Sequence, residues 1–304
     1  MQSALLNSYE ACKAMTRRHA RTFYFASHTL PAIKRRDAYA VYAFCRYVDD
    51  EIDAAPDLST AKVKLDALRD FIRTIFPQSE GTFANQAALE RAATKHPWLT
   101  AFLHTVETRR IPLQYFLDLV RGVEMDLGPV RLQTWEELNT YCYHVASVVG
   151  LIMVHVVTEP RPDLLEPAAD LGRAMQLTNI LRDIREDWER DRIYIPATEL
   201  ADFGLSEKDI VAHGNDNMPR FREMMQFNIR RARDYYAKSE QGIQQLPRDG
   251  SQLTVWLMRT IYGAILEEIE RMEYNVFAKR AVVPMRRKLA LALITTGRYV
   301  WGMR

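Results

Sequence analysis

Thr178-Asn179-Ile180-Leu181-Arg182-Asp183-Ile184-Arg185-Glu186-Asp187-Trp188, continued by Arg192-Ile193-Tyr194-Ile195-Pro196, is the stretch that decides how the rest of the chain reads. Asp183 and Asp187 are four residues apart, a spacing that puts both carboxylates on one face of an α-helix. Gln176 and Asn179 lie on or beside that face, and Leu177, Leu181 and Ile184 lie opposite, where they can pack into a core. The geometry recurs far upstream in Tyr42-Ala43-Phe44-Cys45-Arg46-Tyr47-Val48-Asp49-Asp50-Glu51-Ile52-Asp53, where Asp49 and Asp53 share a face. An isolated acidic pair at this spacing is ordinarily a solvated face balanced by basic neighbours. Here both pairs are embedded in apolar and aromatic residues, and carboxylates seldom go inside unless paired or bound to metal. Two like charges about 4 Å apart repel by roughly 4 kcal/mol at an effective dielectric near 20. Facing acidic helices therefore need cations between them. Hard oxygen donors suit Mg²⁺, which takes few protein ligands and completes its shell with phosphate oxygens. The expectation is a site for a magnesium–diphosphate ligand.

The surrounding 304 residues favour an all-α protein. Gly and Pro are sparse, at 12 and 13, while apolar residues make up 48 %, ample for a core. The net charge of +2 is spread along the chain and leaves no nucleic-acid footprint. Cys12, Cys45 and Cys142 are far apart in apolar helical contexts, which points to a reducing, cytoplasmic setting rather than a disulfide framework or zinc site. Neither a nucleotide-binding glycine loop nor a His-Glu-x-x-His pattern is present. The N-terminus lacks the apolar core of a signal peptide. Leu138 to Thr158 carries no Asp, Glu, Lys or Arg and is long enough to span a bilayer. Its Asn, Thr, Tyr, Ser and His residues favour a helix buried in a soluble bundle.

Helical periodicity predicts helices over about 4–18, 35–53, 59–75, 85–95, 97–109, 112–128, 134–158, 164–190, 219–246, 251–277 and 284–301. His19 to Thr29 reads as a linker, Ser59 as a helix cap and Pro77 to Thr82 as a loop. No linker is long or polar enough to divide the chain, so residues 1–304 read as one all-α domain of long helices around a central apolar cavity. A basic cluster, Lys279, Arg280, Arg286, Arg287 and Lys288, precedes the apolar run Leu289 to Ile294. An interfacial helix touching membrane fits this pattern, but packing of a C-terminal helix into the core is the preferred expectation.

At these residues the sequence resembles the squalene and phytoene synthase family, the head-to-head prenyl diphosphate synthases. Arg46 to Asp53 is similar to that family's first aspartate-rich motif, and Gln176 to Asp187 with Tyr194-Ile195-Pro196 to its second. His19-Ala20-Arg21-Thr22-Phe23 with Leu30-Pro31, Met125-Asp126-Leu127, and Tyr141-Cys142-Tyr143-His144-Val145-Ala146 resemble three further motifs. The likeness runs from about residue 10 to about 290 and implies an isoprenoid-synthase helical bundle. It also implies that Asp49, Asp53, Asn179, Asp183 and Asp187 hold Mg²⁺, with Mn²⁺ able to substitute. Arg46 and Arg182 would bind diphosphate, helped by His19, Arg21, Thr22, Tyr42, Gln176 and Tyr194, and Tyr141 would lie near the reacting carbons. The plainer alternatives are that Arg46 and Arg182 pair with neighbouring acids, and that Tyr141 and Tyr194 are packing aromatics. One departure is Ser147, where the family usually has glycine; a side chain there is expected to narrow the space.

The implied reaction joins two prenyl diphosphates through a cyclopropyl diphosphate. The segments Arg21 to Ala26 and Asn275 to Leu289 look most like bacterial phytoene synthases, which condense two geranylgeranyl diphosphates without reductant. The alternative is farnesyl diphosphate going to presqualene diphosphate, squalene or dehydrosqualene, with NADPH needed only for squalene. A terpene cyclase fits the acidic motifs less well. A non-catalytic assembly factor of the same fold would be expected to have lost the acidic ligands retained here.

Overall fold

The computed structural model describes residues 2–53, 55–76, 86–211 and 218–302. Helix α1 (Gln2–His19) leads directly into α2 (Arg21–Ala26) and a 3-10 turn (Ser27–Thr29), so the expected linker is helical. Tertiary contact explains the difference: Phe23 packs on Tyr42 at 6.1 Å between ring centroids, and Tyr24 stacks on Tyr39 at 5.6 Å. Helix α3 (Ala32–Asp53) starts right after Pro31, and α4 (Leu58–Ile75) follows. The cap of α4 is Asp57 rather than Ser59; its carboxylate accepts a hydrogen bond from the Thr60 amide at 2.8 Å. The loop expected at 77–82 lies outside the described residues, as does the side chain of Asp53.

Next come α5 (Gln86–Lys95), α6 (Leu99–Arg109) and α7 (Leu113–Met125). Phe44 of α3 stacks on Phe102 of α6 at 4.4 Å and meets Phe116 of α7 edge-on at 5.1 Å. Such pairs add about 0.5–1.5 kcal/mol each beyond area burial, which fixes α3, α6 and α7 against one another. Strand β1 (Val130–Arg131) pairs in parallel with β2 (Arg192–Ile193), a two-residue contact too short to show as alternation in the sequence.

The apolar stretch forms α8 (Trp135–Cys142), a π-helical turn (Tyr143–Ser147) and α9 (Val148–Val157). Trp135–Val157 passes the length and composition test for a membrane span, and 61 % of its most apolar window is buried inside the bundle. Helix α10 (Pro162–Trp188) runs across it. The two backbones approach so closely that a Cβ on Gly172 would meet the Ala146 carbonyl oxygen at 2.5 Å. Ser147 belongs to this contact. It is fully buried, and its hydroxyl donates to the Ala169 carbonyl at 2.7 Å. Its side chain is spent on helix packing, which corrects the expectation that it narrows the cavity.

Short α11 (Ala197–Asp202) and α12 (Glu207–Val211) precede α13 (Met218–Gln244), α14 (Ser251–Arg271) and α15 (Met285–Trp301). Helix α14 ends six residues before its expected stop, at a turn where Glu273 and Tyr274 take positive φ of 51° and 66°. Among the described residues two large apolar clusters result, with a small third around Ala26, Leu253 and Leu257. One joins α1, α3, α4, α6, α7 and α9; the other joins α8, α10, α13 and α14. An apolar cavity of about 80 Å³ lies between α9, α10 and α13, bounded by Met153, Leu164, Leu171 and Leu246.

Candidate active site

The acid-bearing ends of α3 and α10 belong to different apolar clusters, and the end of α7 lies between them. Asp49 and Arg46 of α3 line a cleft of about 490 Å³ together with Asp126, which follows α7, and Arg190 and Arg192, which follow α10. Asp126 is its structural hub. The carboxylate of Asp126 accepts the Tyr194 hydroxyl at 2.7 Å and the Tyr141 hydroxyl at 3.0 Å, while its backbone carbonyl accepts from the Arg192 guanidinium at 2.8 Å. The two tyrosine rings stack at 4.7 Å. Burial first, and then the neighbouring Asp126 charge, push both phenols well above their usual range, so they remain donors. Tyr141 is thus neither a free packing ring nor bonded to backbone.

Asp187 is where the acids crowd. Burial, then Asp183, then Asp126 push its carboxyl up to about 7. Asp183 goes the other way. Burial opposes its charge, but hydrogen bonds and charge from Arg182 and Arg280 outweigh burial and hold it below the usual carboxylate range. The Arg182 Nε donates to it at 2.7 Å, and Arg280 forms a fork at 2.7 and 3.0 Å. Half-buried Asn179 donates to Gln176 at 3.4 Å, one turn before Asp183.

On α3, Arg46 pairs with Asp50, its neighbour at i+4. Its Nε is nevertheless buried without a hydrogen-bond partner, and so is the Nε of Arg192. Tyr42 is pushed up to about 12 by burial, which Arg46 opposes and Asp49 reinforces. On the α2 side, Thr22 accepts a hydrogen bond from Lys288 of α15 at 3.0 Å. His19 and Arg21 are exposed at the α1–α2 junction and are not among the residues that line the cleft.

Two orphaned guanidinium N–H groups in a cleft suit an anion with several oxygens. The crowded carboxylates suit a hard divalent cation, the chemistry of Mg²⁺. Among the described residues no three His, Cys, Asp or Glu side chains form a ready-made cation cluster. Phosphate and water oxygens would complete the shell, as is usual for Mg²⁺.

Comparison with known proteins agrees with this architecture. Residues 16–287 match the family model described as squalene/phytoene synthase. The chain belongs to the squalene/phytoene synthase family. This synthase is 39 % identical over 294 residues to a protein named 15-cis-phytoene synthase from Synechocystis, covering 93 % of this chain and 82 % of that one. It is 38 % identical over 300 residues to another from Synechococcus elongatus, covering 94 % and 92 %. Among solved structures it resembles a dehydrosqualene synthase crystallised with a ligand, with a TM-score of 0.80, 26 % identity and 98 % coverage of both chains.

Arg190 and Arg192, which line the cleft, have no role assigned from sequence, and neither do Arg280, Lys288 and Asp126. Arg280 belongs in sequence to the basic cluster that precedes the apolar run of α15, but it reaches Asp183 because α14 stops early. Lys288 belonged to the same cluster. Asp126 did carry a signal: an acid just past a helix C-terminus opposes the helix dipole, so its position there asks for another reason.

Proposed function

We propose that this synthase condenses two geranylgeranyl diphosphates head to head, through a cyclopropyl diphosphate, to give phytoene. The observation that carries the reading is that Asp49 and Asp126 line one cleft with Arg46, Arg190 and Arg192, while Asp187 lies close enough to Asp126 to feel its charge. The relatives named 15-cis-phytoene synthase, matched over most of both chains, support the C20 substrate and a reaction without NADPH. Residues 1–304 act as one catalytic unit, since the site draws on both apolar clusters.

Asp49, Asp53, Asn179, Asp183 and Asp187 are the proposed holders of Mg²⁺, or Mn²⁺ in its place, and Asp126 joins them through its closeness to Asp187. When bound, the cation neutralises the diphosphate and makes it a better leaving group. Arg46 and Arg192 offer their unpartnered Nε–H groups to phosphate oxygens, and Arg182 and Arg280 exchange Asp183 for the same ligand. His19, Arg21, Thr22, Tyr42 and Gln176 are proposed to extend this cradle along α3, α10 and the α1–α2 junction, with Lys288 bonded to Thr22. Loss of diphosphate leaves an allylic cation, which buried aromatic faces such as Tyr141 stabilise while the packed interior excludes water. Asp126 holds the phenol ends of Tyr141 and Tyr194, so the rings cannot turn away.

Purified protein incubated with geranylgeranyl or farnesyl diphosphate, with and without NADPH, tests the reading. Phytoene from the C20 substrate, independent of NADPH and abolished by chelator, is the expected result. C30 products alone would transfer the assignment to the farnesyl reaction, for which the dehydrosqualene synthase fold is a precedent.

A further inference from the structure

Helix α15 is inside out. Several polar residues face the protein: Lys288 bonds Thr22, Thr295 bonds Thr260 at 3.5 Å, and Arg287 is paired with Glu267 and Glu268. Most of its large apolar residues face solvent. Met285, Leu289, Leu293, Ile294, Val300 and Trp301 are all exposed, Leu293 at 75 % and Trp301 at 77 %. At 100° per residue these six fall within one half of the helix circumference. No α15 residue is buried, which overturns the expectation that this helix packs into the core. Its contact with the protein is confined to the opposite face, where Leu291, Ala292 and Tyr299 pack on the bundle.

The charge around the stripe has one sign. From Tyr274 to Arg304 the sequence contains no Asp or Glu, but it contains Lys279, Arg280, Arg286, Arg287, Lys288, Arg298 and Arg304. Lys279, Arg286 and Arg298 are exposed and have no acidic partner among the described residues. A second copy of the chain docked symmetrically on this face would bring these like charges together. An anionic bilayer meets both halves of the pattern, since it takes apolar side chains and Trp at its interface and attracts the basic rim. The stripe is also continuous with the site, because the segment that starts it supplies Arg280 to Asp183 and Lys288 to Thr22.

We propose that the exposed face of α15 docks the protein on an anionic lipid surface, with Leu289, Leu293, Ile294 and Trp301 in the interface and Arg286 and Arg298 against the headgroups. That docking would bring the site to membrane-dissolved prenyl chains rests on the function proposed above; the docking itself does not. Each basic side chain near such a surface strengthens partitioning about fivefold.

Flotation of the full chain with vesicles tests this. Vesicles of phosphatidylcholine mixed with phosphatidylglycerol are compared with phosphatidylcholine alone, using wild type and the double variant Leu293→Glu, Ile294→Glu. Circular dichroism melts check that both are folded, which is expected because both positions are exposed. Wild type should float with the anionic vesicles and be released by neutral ones or by raised salt. The double variant should lose at least about tenfold in partitioning. Wild type left in the soluble fraction with both vesicle types would overturn the proposal, as would a folded double variant that floats equally well. A wild-type dimer split by the double substitution, without flotation, would assign the face to self-association instead. Turnover of detergent-dispersed substrate is measured in parallel and should be equal in both proteins. Its absence in wild type would sink the functional reading while stripe-dependent flotation still supported docking.

Discussion

Asp126 ties three groups from beyond α7 to one point: the hydroxyls of Tyr141 and Tyr194 and the guanidinium of Arg192. Asp126→Ala should therefore lower kcat by about 10²-fold or more with a modest change in melting temperature, read by steady-state kinetics and calorimetry. Asp187→Asn should separate stability from activity. A carboxyl raised from its ordinary 3.8 to about 7 binds its proton in the folded state when the unfolded chain has already lost it. Stability of the metal-free protein therefore falls as pH rises from about 4 to about 7, by an amount on the order of a few kcal/mol. Asparagine removes that slope. The variant should melt higher than wild type at pH 8 in chelator and turn over no substrate; a lower melting temperature there would count against the crowding of Asp187. The acidic pairs were legible because spacing alone puts them on a face. The role of Asp126 was not, since a single acid carries no periodicity and its partners are 15 to 68 positions away.

At the scale of elements, the π-helical turn and α10 meet backbone to backbone. Gly172→Ala would push a methyl group onto the Ala146 carbonyl, from which a Cβ is only 2.5 Å away. Close packing on both sides leaves no flexible end to yield, so a loss of about 1–3 kcal/mol is expected, measured as a shift in denaturant midpoint. Helix existence was readable almost everywhere from apolar spacing, and the exceptions have identifiable causes. Arg21–Ala26 is too short to show a period and is held by its aromatic contacts with α3. The stop of α14 falls at Glu273 and Tyr274, residues with no intrinsic preference for positive φ. They are held there by partners distant in sequence: Arg222 pairs with Glu273 at 3.2 Å, and Gln226 donates to the Tyr274 hydroxyl at 3.2 Å. No local signal announces such a stop, and it is what carries Arg280 back to Asp183.

For the molecule as a whole, the site bridges two separately packed apolar clusters, so a ligand that spans it should fasten one to the other. Diphosphate with Mg²⁺ at about a hundred times its dissociation constant should stabilise the fold by about 2.7 kcal/mol. Neither component alone should approach that shift in a thermal melt, and hydrogen exchange should slow at the ends of α3 and α10 together. The all-α class followed from composition and periodicity. The orientation of the last helix did not, because an apolar stripe looks the same in sequence whether it faces the core or the solvent.

The two arginines on Asp183 have a consequence for the order of events. A cation arriving by itself meets a carboxylate whose lone pairs are already engaged, and a diphosphate arriving by itself meets guanidinium groups that must abandon an acid. Each newcomer releases the grip that hinders the other, so each should increase the other's affinity by the same factor. The resting protein would then ignore free magnesium and commit it only alongside cargo, a latch worked by the substrate.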